Sequence, residues 1–176
     1  YRVRYAPDLL RRLLNAGVDA LAPSERFNFI NDAWATTVAG LMPLADYLDL
    51  TARFTEERDK NVWALLLESF SFLNRIITVE DRPALEAFVR SRIGPAVADL
   101  GWVPQRGESE LTKQLRGELI GAQGKLGNDP AIQQRAAELY RAYRNDAKAV
   151  DPNIVPSLVA ILAHTGDTAR YEEFDE

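Results

Sequence analysis

The chain has 176 residues, 47% of them apolar, a formal net charge of −5 and no cysteine, with an isoelectric point near 5.1. That length and apolar share are enough for one domain with a real core, and the acidic balance argues against a nucleic-acid partner, which needs clustered Lys and Arg to neutralise phosphate. The lack of thiols excludes disulfides and thiolate metal sites and is compatible with a reducing cytosol, so a cytoplasmic location is the expectation.

No apolar run approaches the roughly 18 residues of a membrane-spanning helix, and the first residues do not read as a targeting leader. Tyr1-Arg2-Val3-Arg4-Tyr5 places aromatic and β-branched residues at period 2, as in a half-buried strand, and Pro7 closes it. Residues 1–6 are therefore expected to be extended and poorly held without a neighbouring strand.

From Asp8 onward the pattern is helical. Leu9, Leu10, Leu13, Leu14 and Val18 predict one apolar face on a first helix ending near Leu21. Ser24 is the expected N-cap of the second, whose face carries Phe27, Ile30, Trp34, Val38 and Leu41 before Gly40 ends it. Pro43 opens a third with Leu44, Tyr47, Leu48 and Phe54 inside. The spacing predicts a fourth over about 59–77, buried through Val62, Trp63, Leu66, Phe70, Leu73 and Ile77. Asp81 and Pro83 start a fifth bearing Leu85, Phe88 and Val89, which Gly94-Pro95 is expected to break or kink. Leu111, Leu115, Leu119, Ala122 and Leu126 form the stripe of a sixth. Asn128-Asp129-Pro130 and Asp151-Pro152 read as N-cap followed by Pro at the first helical position, opening a seventh and an eighth.

Helix starts thus recur every ~15 to 25 residues, the scale of HEAT and armadillo hairpins. The expected fold is all-α: irregular antiparallel helix pairs stacked as a HEAT/armadillo-like solenoid over residues 7–176, after a short extended remnant at 1–6. The ending Tyr171-Glu172-Glu173-Phe174 carries no capping segment, so truncation at the C-terminal end is expected.

Five motifs occur once each along the chain: Tyr1-Arg2-Val3-x-Tyr5; Ser24 to Gly40 with Arg26 and Asp32; Glu57-x-Asp59-x-x-Val62-Trp63; Pro95 ahead of Gly101-Trp102; and Leu111-x-x-x-Leu115-Arg116-Gly117. In that order the chain resembles the first half of the C-terminal helical domain of zinc aminopeptidases of the puromycin-sensitive, aminopeptidase N and endoplasmic-reticulum aminopeptidase kind. The resemblance implies that residues 1–6 end a preceding β domain. It also implies that the helices wall the active-site cavity of an enzyme that removes N-terminal amino acids from peptides, and control peptide access to it. Its implied partners are the catalytic and β domains of the same chain and the peptide substrate, with neither nucleic acid nor membrane. The zinc of such enzymes sits in His-Glu-x-x-His, two imidazoles one helical turn apart. This chain has a single histidine, His164, so no catalytic residue, metal ligand or cofactor is expected within it. A stand-alone helical scaffold binding a protein partner is the alternative.

The polar residues on or beside apolar faces are the candidate sites. Arg26 and Asp32, six positions apart, are too distant for a mutual helical pair, and each is expected to bridge to a neighbouring helix. Glu57 and Asp59 fall at a helix junction, where carboxylates cap the next N-terminus. Arg116 either locks two helices through a carboxylate or, as the resemblance implies for basic side chains of this domain, meets the C-terminal carboxylate of a peptide substrate. His164 is read as a helix C-terminal histidine favoured by the dipole, and Trp34, Trp63 and Trp102 as core aromatics.

Overall fold

Strong three- and four-residue periodicity produces helices throughout. The computed structural model describes residues 3–168 and 170, and among them lie eight α-helices and no strand. These are α1 (Pro7–Ala16), α2 (Pro23–Val38), α3 (Leu44–Thr51), α4 (Lys60–Ile76), α5 (Arg82–Leu100), α6 (Glu110–Lys125), α7 (Pro130–Asn145) and α8 (Val155–Thr165). None is long and apolar enough to cross a membrane. Tyr1 and Arg2 of the expected strand, and the ending 171–174, lie outside the described residues. Val3 to Ala6 form neither helix nor strand, and the Tyr5 ring meets Phe29 edge-on at 5.3 Å.

Four helix boundaries or interiors differ from expectation, each for a local reason. α1 stops at Ala16 rather than near Leu21, because Gly17 adopts φ 87° and passes the chain into a 3-10 turn at Val18–Ala20. α2 begins at Pro23, not after Ser24. Proline fits the first helical position and holds Ala22 extended, while the Glu25 carboxylate accepts the Ala22 N–H at 2.7 Å. α5 runs unbroken through Pro95. Burial of Val89 and Ile93 before the proline, and of Ala96, Val97 and Leu100 after it, outweighs the roughly 3 kcal/mol that an interior proline costs. α8 starts at Val155 instead of Pro152, since Asp151 Oδ1 accepts the Asn153 N–H and closes a turn first.

Contacts divide the chain into two compact units, residues 1–75 and 76–176. In the first, the α4 face of Val62, Trp63, Leu66, Phe70 and Leu73 is buried as the sequence requires. α3 presents Tyr47 and Leu50, with Leu44 exposed. Trp34 joins Tyr47 at 4.9 Å and Phe72 at 5.6 Å, linking α2, α3 and α4 through aromatic contact. α2 ends as a Schellman motif: the Leu41 N–H reaches Thr36 O, the Gly40 N–H reaches Thr37 O, and Gly40 has φ 72°.

In the second unit α6 packs on α5, α7 and α8, and α7 packs on α8. The α6–α8 approach is made by Gly117, Gly121 and Gly124, one to two turns apart on one face. A Cβ built at these positions would fall 2.4 Å from Asn153 O, 2.9 Å from Ser157 Oγ and 2.7 Å from Ile161 Cδ1. Asp129 caps α7, accepting the Ala131 and Ile132 N–H groups.

Two outcomes follow from this packing. Gly117→Ala meets backbone and is expected to destabilise the chain by ~1 to 3 kcal/mol despite alanine's better helix propensity. Gly121→Ala meets a side chain that can rotate and costs less; urea melts giving the reverse order would contradict the seam. The Tyr47 phenol, fully buried and donating to Ser69 Oγ at 2.7 Å, has its pKa raised by burial. The folded state therefore holds this proton where the unfolded chain loses it, and the contribution is lost as pH rises above about 10. Melts from pH 9 to 11 should show stability falling less steeply for Tyr47→Phe than for the parent.

Candidate functional site

The Glu57 carboxylate gathers hydrogen bonds from a side chain and two backbone groups of the first unit. It lies just after a 3-10 turn at Ala52–Phe54 and before α4, and is 5% exposed. Arg26 of α2 donates to it from Nε at 2.5 Å and from Nη2 at 3.0 Å, and donates from Nη1 to Leu21 O at 2.7 Å. The Arg58 and Asp59 N–H groups complete the carboxylate's shell at 2.8 and 2.7 Å, and the Trp63 indole donates to Glu57 O at 2.9 Å. The Arg26 pKa is raised, chiefly by its hydrogen bond to Glu57. Asp59 Oδ1 accepts the Asn61 and Val62 N–H groups and caps α4.

Asp32 is placed elsewhere. It is buried on α2 and lines a cleft with Val3, Tyr5, Asn28 and Asn31. The Tyr5 phenol is pushed up by burial and then by the Asp32 charge. The geometry thus brings Arg26, Glu57 and Asp59 to one junction and sends Asp32 to another.

Arg116 is 1% exposed on α6. Its Nε donates to Leu100 O at the end of α5, 3.1 Å away, and its Nη2 to Glu108 Oε1 at 2.5 Å. Arg116 Nη1 and Glu108 Oε2 are buried with no partner among the described residues. A guanidinium so enclosed ties the α5 end, the 101–109 connection and α6 together. Sequence reasoning named the arginine but not Glu108, whose place in a polar, turn-rich stretch carries no periodic signal. It also missed Leu100 O, since a backbone acceptor leaves no mark in composition.

Nowhere among the described residues do three His, Cys, Asp or Glu side chains converge as metal ligands. His164 stands exposed in the last turn of α8. This donor set does not fit the tetrahedral nitrogen and oxygen sphere of a hydrolytic zinc.

The Arg116 pair can be tested by a double-mutant cycle. Glu108→Leu leaves a buried cation unpaired and is expected to cost ~3 to 5 kcal/mol, whereas adding Arg116→Met should restore much of the loss. Strictly additive destabilisation in equilibrium unfolding would contradict the lock.

The chain is similar in sequence to known proteins over most of its length. Aminopeptidase 2 of Candida albicans is 28% identical over 178 residues, covering 98% of this chain and 19% of that protein. Aminopeptidase M1 of Arabidopsis thaliana is 29% identical over 181 residues, 98% of this chain and 20% of that protein. Glutamyl aminopeptidase of Rattus norvegicus is 29% identical over 160 residues, 88% of this chain and 16% of that protein. The chain therefore spans about a fifth or less of the length of these curated relatives. The family profile described as the ERAP1-like C-terminal domain matches residues 1–175. The chain belongs to the ERAP1-like C-terminal domain family, a domain it shares with aminopeptidases.

Proposed function

We propose that the chain is the non-catalytic C-terminal helical part of a zinc metallo-aminopeptidase that removes N-terminal amino acids from peptides. In this reading its helix pairs stack as HEAT-like hairpins, wall the active-site cavity and limit which peptides enter. Its partners are the catalytic and β domains of the same chain, and residues 1–6 are the end of the latter. The observation that carries the reading is the family match over residues 1–175, joined to relatives named aminopeptidases that are about five times longer than the matched region.

The polar geometry supports a structural part in that machine. Arg26, Glu57 and Asp59 spend their hydrogen bonds on one helix junction. Arg116 serves as a lock rather than a peptide anchor, because its guanidinium is enclosed against Leu100 O and Glu108. The hydrolytic chemistry of such an enzyme, and any metal that supplies it, would be held by residues outside this chain.

The test is to read the coding sequence ahead of Tyr1. A His-Glu-x-x-His helix there is the expected result. An upstream region without it would overturn the aminopeptidase reading in favour of an independent helical scaffold.

A further inference from the structure

The connection between α2 and α3 departs from the rule that exposed turns are polar. Residues 38–45 read Val-Ala-Gly-Leu-Met-Pro-Leu-Ala, without one polar side chain. All are exposed except the half-buried Met42, and Val38, Leu41 and Leu44 keep 59%, 54% and 43% of their surface in water. The Schellman turn accounts for Gly40 and for part of Leu41, whose position touches the last helical turn in such motifs. It asks nothing of Val38, Leu44 or Ala45. Exposed apolar runs of this length are unfavourable in water and mark a surface that another surface covers. We propose that residues 38–45 are a docking surface for the part of the protein outside this chain, which meets them with an apolar patch bordered by Lys or Arg.

This inference rests on the aminopeptidase reading, in which most of the protein lies elsewhere: the chain covers 19% and 20% of two of its relatives. Charge selects the border of the partner patch. From Ala33 to Ala52 the only charged side chains are Asp46 and Asp49. Both are exposed, and neither is held by an ion pair among the described residues, Arg53 of the next turn included. Two carboxylates without a local cation favour a partner that brings one. The same charges disfavour the other occupants. A two-fold pairing with a second copy would set Asp46 and Asp49 against their own counterparts, and an anionic bilayer attracts cations that this segment lacks.

The measurement is amide hydrogen exchange, read by mass spectrometry, on the 176-residue chain and on the full-length protein that its gene encodes. Peptides covering 38–45 should exchange at least ~tenfold more slowly in the full-length protein. Leu41→Lys with Leu44→Lys should remove that protection, while the melt of the 176-residue chain stays unchanged because both side chains are already exposed. Val103→Lys, at an exposed apolar position of the second unit, should leave the protection in place. Equal exchange in the two proteins, or an equal loss in Val103→Lys, would overturn the proposal. So would a dimer of the 176-residue chain that the Leu41 and Leu44 changes dissolve. The two failures are distinguishable: a full-length sequence without His-Glu-x-x-His overturns the aminopeptidase reading, whereas one that carries it, with equal exchange, overturns only this surface.

Discussion

A carboxylate taken out of water must find its compensation nearby, and Glu57 finds it from three directions at once. Arg26 supplies two N–H groups from α2, and the backbone of Arg58 and Asp59 supplies two more. The same residue's carbonyl receives the Trp63 indole, so a shift of α2 unpairs a buried charge and a shift of the first turn of α4 breaks a buried hydrogen bond. Such unpairing costs several kcal/mol, which is a large fraction of the stability of a small unit. The hydrophobic faces supply the drive to pack, and this junction fixes where they pack. The second unit uses the same physical device with different parts: a helix arginine, Arg116, against a loop carboxylate, Glu108, and a helix-end carbonyl, Leu100 O.

Those pairs share one physical pattern. Charged side chains that sit deepest in the fold are committed to helix junctions, and the glycine face of α6 brings α8 to near-backbone contact. Glycine is unfavourable in a helix interior, so its repeated use there is compensated only by that approach. Buried chemistry of this sort holds the helices of each unit firmly to one another. It fits the place of the family within much longer aminopeptidases.

How much was readable in advance depended on the length and evenness of each apolar stripe. α4, with 17 residues, announced Val62, Trp63, Leu66, Phe70 and Leu73, and all are buried. On α2 Ile30 is buried as the spacing predicts, and Phe29 and Ala33 lie inside beside it, whereas Val38, the last helical residue, and Leu41, beyond the Schellman turn, are exposed. Leu111 failed for a similar reason, lying in the exposed first turn of α6. Gly94-Pro95 carries a breaker signal that burial on both sides overrides, and the packing role of Gly117, Gly121 and Gly124 leaves no periodic mark in the sequence. The site residues Arg26, Glu57, Asp59 and Arg116 were visible as charges on apolar faces. Their partners were not, since Glu57 to Arg26 is a contact 31 positions apart and no local pattern encodes it.

The proposed reading makes the chain architecture without reacting groups of its own. Its most direct test is metal analysis and aminoacyl-amide turnover on one purified preparation of the folded 176-residue chain. The account predicts zinc well below one ion per chain after dialysis and no hydrolysis above the protein-free rate. One tightly held zinc per chain, or turnover that survives repurification, would contradict it.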